Sequence, residues 1–193
     1  MKNSYLGAAM LACALGLSAC GGSSGELLLG GQVFGVTKDG LVLQNNGGSD
    51  LNIPANASTF YFKDLIGVDS TYNVTVKSIP DNATKCEVAN ATGRSAFNVQ
   101  NVYVTCTLKT HALGGSITGL GNATGLVLVN GSNRVDVPAG ATSFSMAAVG
   151  EDSPYGITIL TQPAGKSCTI TNNVGTMLKA DITNVAVNCV NAG

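Results

Sequence analysis

The sequence predicts an all-β protein, and three observations lead to this prediction. The chain has 193 residues, of which 45% are hydrophobic and 11% charged, so it has enough apolar mass to form a folded body. Its 25 glycines are typical of a turn-rich chain. After the N-terminal region, hydrophobic and polar residues alternate, and no segment of useful length has the spacing of an amphipathic helix.

The charge balance excludes one class of partner. Lys and Arg together number 10 and Asp and Glu 11, which gives a formal net charge of -1. Such a chain has no excess of basic residues to bind a polyanion, so we expect no nucleic-acid partner. With 1 His, it is also poor in the side chain that most often performs acid–base or metal chemistry.

The first element along the chain is an export signal. Lys2 supplies a positive charge, and an apolar stretch of roughly 12 residues, 6–17, follows it. This stretch is shorter than the about 20 residues that a membrane-spanning helix needs, so we interpret residues 1–19 as a signal peptide. Residues 21–25 are Gly-Gly-Ser-Ser-Gly, a composition typical of flexible linkers, and we predict a tether over residues 20–28.

The end of this signal, Leu17-Ser18-Ala19-Cys20, resembles the lipobox of bacterial lipoproteins. The resemblance implies that Cys20 is lipidated and becomes the mature N-terminus, so that the membrane is a partner through the N-terminal lipid. Acyl chains bury methylene groups at about 0.8 kcal/mol each, and several chains anchor a protein stably. Gly21 stands where an Asp would resemble the inner-membrane retention signal, so in a Gram-negative cell the resemblance favours the outer membrane of the cell envelope. An ordinary signal with an incidental Cys is the alternative.

The remainder of the chain is a duplicated unit. Asp69-Ser70-Thr71-Tyr72 matches Asp152-Ser153-Pro154-Tyr155, and residues 101–106 match residues 184–189. A constant offset of about 83 residues indicates an internal repeat. We therefore predict repeat one over residues 29–107, a short linker over residues 108–112, and repeat two over residues 113–193.

Within each repeat the hydrophobic period is two, which predicts strands with one buried face. Clusters of Gly, Asn, Asp and Pro separate the strands as turns. The strands expected in repeat one are residues 32–36, 41–44, 51–53, 59–62, 72–76, 86–89 and 102–106. About seven short strands with a turn every 8 to 12 residues predict an antiparallel β-sandwich of immunoglobulin-like type in each repeat.

Four cysteines remain after the signal and Cys20, two at matching positions in each repeat. Three pairings are formally open, and the duplication favours Cys86–Cys106 and Cys168–Cys189. The alternation places these cysteines in phase with the buried face, so we expect the bridges in the core. The chain has no Cys-x-x-Cys pair and no His near any of the four, so we expect no metal and no cofactor.

No catalytic group of residues is evident. The single His, His111, lies in the predicted linker, where we expect it to be solvent-exposed. The glycines around Lys166 and Leu120 lack the further residues that complete a phosphate-binding loop or a dinucleotide fingerprint. Asp69 and Asp152 recur in both repeats, and we interpret them as residues that cap turns rather than as calcium ligands.

Tyr61 and Tyr103 are the candidate recognition residues. They occur only in repeat one, because repeat two has Ser145 and Ala186 at these positions. Both fall on the face opposite the alternating buried residues. This pattern marks the outer face of repeat one as the candidate binding face, and scattered surface aromatics are the alternative interpretation.

The recurring string Tyr-x-Val/Ile-Thr-Val/Ile, a Pro turn, Cys-x-Val/Ile-x-Asn and Asn-Val-x-Val-x-Cys is similar to tandem repeats of bacterial surface lipoproteins with immunoglobulin-like folds. The resemblance covers both repeats and implies a cell-envelope location and a module type, but no substrate. Antibody domains pack a buried Trp against their disulfide, and this chain has no Trp.

These observations together predict a lipid-anchored protein of the bacterial cell envelope that acts as a structural or binding module without catalytic activity. The expected partner is an envelope protein or a glycan, and no oligomeric state is predicted. An adhesin or carbohydrate-binding module is the first alternative. A hydrolase that uses Asp, Ser and Lys between the repeats is the second.

Overall fold

The computed structural model describes residues 26–193. The predicted signal peptide, Cys20 and residues 21–25 of the predicted tether lie outside the described residues. Within them, all regular elements are β-strands, which confirms the predicted all-β fold class. No helix in this part of the chain is long and apolar enough to cross a membrane.

Repeat one is a sandwich of two four-stranded sheets. Its strands are β1 (Leu29–Phe34), β2 (Leu41–Asn45), β3 (Gly48–Ile53), β4 (Thr59–Tyr61), β5 (Thr71–Ser78), β6 (Ala83–Ala89), β7 (Thr92–Arg94) and β8 (Val99–Leu108). The sheet orders are β4-β1-β8-β6 and β3-β2-β5-β7. Leu29 and Val102 of the first sheet share one buried cluster with Leu43 and Val74 of the second, so both inner faces build a single core.

Repeat two has the same arrangement. After β9 (Thr110–His111) in the predicted linker, its strands are β10 (Leu113–Thr118), β11 (Val127–Asn130), β12 (Asn133–Asp136), β13 (Ser143–Ser145), β14 (Val149–Gly150), β15 (Pro154–Thr161), β16 (Lys166–Thr171), β17 (Val174–Thr176) and β18 (Ile182–Asn191). The orders β13-β10-β18-β16 and β12-β11-β15-β17 correspond strand by strand to those of repeat one. A second hydrophobic core, built around residues such as Leu113, Leu128 and Val185, fills this sandwich.

One pairing in each repeat is parallel, which corrects the expectation of purely antiparallel sheets. The first and last strands of a repeat, β1 and β8 or β10 and β18, run side by side in the same direction. Both pairs have a register shift at the same place, at Leu29 and Gly31 or at Leu113 and Gly115. A hydrophobic period of two predicts on which face of the sheet a side chain lies. It does not predict whether the neighbouring strand runs parallel or antiparallel, so the sequence pattern could not indicate this pairing.

The predicted linker is hydrogen-bonded to both repeats. Its strand β9 pairs with β14 of repeat two. Asn82 of repeat one is fully buried and donates from Nδ2 to Thr37 Oγ1 at 2.7 Å and to Asp152 Oδ2 at 2.9 Å. The Lys109 amide donates to the Asn82 carbonyl, and the Glu151 amide donates to the Lys109 carbonyl, both at 2.8 Å. This chain of hydrogen bonds joins the turn between β5 and β6 of repeat one, through the linker, to the loop between β14 and β15 of repeat two.

Candidate binding face

Tyr61 and Tyr103 lie on the outer face of the sheet β4-β1-β8-β6. Tyr61 on β4 is opposite Gly30 of β1, and Tyr103 on β8 is opposite Gln32 of β1. Gly30 and Gln32 are two residues apart on one strand, so they face the same side. Neighbouring strands are about 4.8 Å apart, and the two tyrosines therefore flank β1 on one face. The structure brings together the two residues that the comparison of the repeats singled out.

Phe34 is a third aromatic side chain on this face, and the sequence analysis did not single it out. It lies two residues after Gln32 on β1 and opposite Thr105 of β8. Together, Phe34, Tyr61 and Tyr103 form what we call the aromatic face, and each is between 38% and 49% exposed. The signal in the sequence was the phase of Phe34, which alternates with the buried Val33 within a predicted strand.

Polar side chains surround the rings of the aromatic face. Gln32, Thr59 and Thr105 are exposed and occupy the same side of the sheet, because Thr59 and Gln32 are direct partners and Thr105 is the partner of Phe34. Amide and hydroxyl groups both donate and accept hydrogen bonds. The face therefore offers apolar ring surface and hydrogen-bonding groups side by side.

The Tyr61 ring covers a glycine of the neighbouring strand. A Cβ atom built on Gly30 would lie 2.5 Å from Cδ1 of Tyr61, so the ring occupies the space above Gly30. In repeat two the corresponding pair is Gly114 and Ser145. With serine there, the surface has an open groove of about 430 Å³, lined in part by Gly114, Ser116 and Ser145.

The strand registers give the repeat-two counterpart of each aromatic residue. Thr118, Ser145 and Ala186 occupy the positions of Phe34, Tyr61 and Tyr103. Repeat two therefore has the same sheet with none of the three rings, and the rings are not needed for this sheet to form.

Disulfides lie on the same sheet of each repeat, between its last two paired strands. The structure joins Cys86 to Cys106 and Cys168 to Cys189, the pairs that the duplication favours. The two cysteines of a pair are directly opposite on neighbouring strands, with Cα atoms 4.0 Å and 3.9 Å apart. In antibody domains the bridge joins the two sheets of the sandwich, so here its role is different: it fixes one strand pair within a sheet.

His111 is mostly buried, which corrects the expectation of an exposed linker residue. Its Nε2 lies 3.5 Å from Oε2 of Glu151, and its Nδ1 lies 4.0 Å from Oδ1 of Asp181. Glu151 is 3% exposed. The pairing of β9 with β14 brings the imidazole beside this carboxylate, and linker position alone did not indicate that contact.

Other candidate positions have turn geometry. Asp69 and Asp152 have φ angles of 58° and 62°, in the left-handed region that Asp tolerates better than most residues. This geometry fits the interpretation of both residues as turn formers. Among residues 26–193, no group of three or more His, Cys, Asp and Glu side chains is placed to hold a metal ion.

Comparisons with known proteins add little to this description. No protein-family model matches the chain, and no curated protein matches it. Among solved structures, the chain is similar to the major pilin protein (T-13) from Streptococcus pyogenes serotype GAS131465, with 11% identity and a TM-score of 0.28. The similarity covers 86% of this chain and 97% of the pilin chain.

Proposed function

We propose that this protein is an exported, lipid-anchored module of the bacterial cell envelope that binds its partner through the aromatic face and performs no catalysis. The observation that carries the proposal is the position of Phe34, Tyr61 and Tyr103 on one outer face of repeat one. The anchor determines the location of the protein, and the aromatic face determines what it binds.

The location is supported by two independent features. The lipobox-like residues ending at Cys20 favour lipid attachment after export, and in a Gram-negative cell the Gly at position 21 favours the outer membrane. The two disulfides are typical of proteins that fold in an oxidising compartment such as the periplasm or the cell surface. Both features are expected of a protein that leaves the cytosol.

The binding role is supported by the comparison between the repeats. An aromatic side chain buries roughly 150–250 Å² when it is fully covered, and these three are 38–49% exposed, so each still offers somewhat less than half of that area to a partner. Contiguous exposed apolar surface is typical of interaction sites. Repeat two forms the same sheet with Thr118, Ser145 and Ala186 at these positions. The fold therefore does not require the three aromatic side chains of repeat one.

A glycan is the more specific of the two expected partners, and one observation favours it. The rings lie beside the exposed side chains of Gln32, Thr59 and Thr105 on the outer face of the sheet. A sugar ring presents one apolar face and a rim of hydroxyl groups, which matches rings flanked by hydrogen-bonding side chains. An envelope protein is the other candidate partner and needs a larger contact.

Exchanging residues between the repeats tests this proposal. In the variant Phe34→Thr, Tyr61→Ser, Tyr103→Ala, the outer face of repeat one carries the residues of repeat two. We expect glycan-array retention or adhesion of protein-coated beads to fall at least about tenfold, because aromatic residues dominate binding energy at such contacts. Unchanged circular dichroism and melting temperature are the controls for folding.

The reverse exchange is the matched control. The variant Thr118→Phe, Ser145→Tyr, Ala186→Tyr adds three aromatic residues without altering repeat one, and it should bind at least as well as the natural chain. Equal binding by the natural chain and the first variant would contradict the proposal. Turnover of generic ester or peptide substrates by the natural chain would favour the hydrolase alternative instead.

The anchor has its own test. Mass spectrometry of the protein purified from its natural envelope should find acyl groups on Cys20 as the first residue, and globomycin should block its processing. A mature form that has an unmodified N-terminus and is unaffected by the drug would contradict the anchor.

A further inference from the structure

Two loops of repeat one expose hydrophobic side chains at the end where the chain enters the repeat. Leu65 and Val68 lie in the loop after β4, and Phe97 lies in the loop before β8. Their exposed fractions are 45%, 61% and 81%. We call these three side chains the entry patch.

Hydrogen bonds hold the two loops of the entry patch to each other and to the first described residues. Ser95 Oγ, in the loop of Phe97, donates to the Gly67 carbonyl at 2.6 Å. The Leu27 amide donates to the Ile66 carbonyl at 3.0 Å, and the Ile66 amide donates back to Leu27 at 2.9 Å. The entry patch is therefore fixed beside the point where the chain arrives from Cys20.

In repeat two, the end that corresponds to the entry patch is covered by repeat one. There the corresponding loop contains Glu151 and Asp152, and it packs against repeat one, where Asn82 donates to Asp152. Asp69 and Asp152 are equivalent, since both end the loop with a positive φ, and Val68 is thus the counterpart of Glu151. Glu151 is buried, whereas Val68 is exposed. At its entry end, repeat one has an apolar residue where repeat two has a carboxylate buried at the junction.

The distance to the proposed anchor is short. An extended chain spans at most about 3.6 Å per residue, so the six residues from Cys20 to Glu26 reach about 22 Å at most. A lipid on Cys20 therefore holds Glu26, which is hydrogen-bonded to Ile66 in the loop of the entry patch, within about 22 Å of the bilayer surface.

We propose that the entry patch inserts into the interface of the bilayer that holds Cys20 and forms a second membrane contact. The proposal rests on the lipid anchor of the proposed function. The charges nearby form no basic cluster: Arg94 pairs with Asp69 at 3.2 Å, Lys63 is followed by Asp64, and Glu26, whose amide donates to the Ile66 carbonyl, adds a further carboxylate. Apolar burial, rather than attraction to anionic headgroups, drives the contact. Two contacts fix the orientation of repeat one on the membrane, where one lipid tether leaves it free to rotate.

A single introduced tryptophan tests this contact, because the natural chain has no Trp. Phe97→Trp reports on the entry patch. Leu178→Trp is the matched control, since Leu178 is also exposed, at 66%, and lies in the corresponding loop of repeat two. Each full-length variant is exported and processed in cells, purified from membranes, and reconstituted into phosphatidylethanolamine and phosphatidylglycerol vesicles that contain brominated acyl chains.

We expect brominated lipid to quench the tryptophan at position 97 at least about twofold more strongly than the one at position 178, because interfacial side chains reach about 5–10 Å into the boundary with the acyl chains. The emission at position 97 should also shift to shorter wavelength, and 1 M salt should leave both effects unchanged. Equal quenching at the two positions, or quenching that salt abolishes, would overturn the proposal.

Failure of the anchor can be separated from failure of the patch. If the purified protein is acylated but position 97 is not quenched, the entry patch proposal is wrong and the proposed function stands. If mass spectrometry finds an unmodified Cys20, the anchor is wrong. Cys20 is then the one free thiol of residues 20–193, since the other four cysteines form disulfides, and coupling it to a maleimide phospholipid allows the same quenching measurement. Absence of quenching in that form overturns the patch as well.

Discussion

Two glycines determine how closely the first and last strands of a repeat approach each other. Gly31 is opposite Val102 across β1 and β8, and Gly115 is opposite Val185 across β10 and β18. A Cβ atom on either glycine would overlap the carbonyl oxygen of its partner. The parallel pairing at the register shift therefore requires a residue without a side chain.

Replacing Gly31 by Ala should destabilise the protein by about 1–3 kcal/mol or more, because the added methyl group forces the two backbones apart. Gly48→Ala is the matched control: Gly48 also lies in a strand, and its Cβ would meet nothing within 4 Å. We expect its effect to stay within about 0.5 kcal/mol. Urea unfolding monitored by circular dichroism measures both, and similar midpoints for the two variants would refute this explanation.

Asp50 is the clearest electrostatic site of repeat one. Hydrogen bonds from Lys77, and then from Gln44, lower the pKa of this carboxyl group below its ordinary value of 3.8. The folded state thus favours the carboxylate. The resulting stabilisation is present above the ordinary pKa and is lost as the pH falls through the lowered pKa.

Lys77→Met should return the pKa of Asp50 toward 3.8, because it removes the largest cause of the shift. An NMR titration of the Asp50 side-chain carboxyl carbon measures this change. Asp136 is the internal control, since Arg134 of repeat two lowers its pKa independently. An unchanged Asp50 titration in the variant would exclude Lys77 as the cause.

Candidate residues were predictable where the two repeats could be compared with each other. Tyr61 and Tyr103 differ in chemistry from Ser145 and Ala186, and the alternation placed both on the outer face. Phe34 needed the strand register as well, since nothing in its local sequence connects it to residues on two other strands. The role of these residues in binding, like the lipidation of Cys20, stays a prediction.

At the level of elements, each disulfide fixes a neighbouring pair of strands in one sheet. Cys86 and Cys106 join β6 to β8, and Cys168 and Cys189 join β16 to β18. Since β8 also pairs with β1, the bridge lies one strand away from the parallel pairing. Its main contribution is to restrict the unfolded chain across a loop of about 20 residues.

Removing one bridge should weaken its own repeat. We expect Cys86→Ala, Cys106→Ala to lose about 3 kcal/mol in the free energy of unfolding, the value for closure of a loop of this length. Cys168→Ala, Cys189→Ala is the equivalent change in repeat two. Hydrogen exchange resolved along the chain should locate the loss in residues 29–107 for the first variant and in residues 113–193 for the second. Loss spread evenly over both would contradict this expectation.

Strands were predictable in proportion to the apolar residues that they bury. β5 alternates between exposed and buried side chains over most of its length, and β2 between buried and half-buried ones, and their predicted positions agree with the structure to within about two residues. β7 and β17 consist of exposed residues in their entirety, so hydrophobic periodicity did not report them. Strand direction was also not predictable, because it depends on pairing between segments about 70 residues apart in sequence.

For the whole molecule, the junction between the repeats depends on a buried amide. The Asn82 side chain bonds to Thr37 of its own repeat and to Asp152 of the other. A buried polar group that loses its partner costs about 1–3 kcal/mol, so this bond is expensive to break. Coupling across the junction should therefore be measurable in solution.

A double-mutant cycle of Asn82→Ala and Asp152→Ala should give a coupling energy of about 1–2 kcal/mol. The control cycle combines Asn82→Ala with Asp69→Ala. Asp69 has the same backbone geometry as Asp152, but it lies at the end of repeat one that is opposite to Asn82. The control cycle should be additive within about 0.5 kcal/mol. Additivity in both cycles, measured by urea unfolding, would mean that the hydrogen bond does not couple the repeats.

The parallel pairing of β1 with β8 has a mechanical consequence. Because these strands run in the same direction, the chain enters a repeat at one end of the pair and leaves at the other. A pulling force between the N-terminus and the C-terminus then acts along both strands in opposite senses and loads their hydrogen bonds in shear. Bonds loaded in this way must break together rather than one after another. Two paired strands resist a pulling force most strongly when their hydrogen bonds are loaded in shear. The pairing of β1 with β8 would therefore resist unfolding when the protein is pulled against a fixed N-terminus.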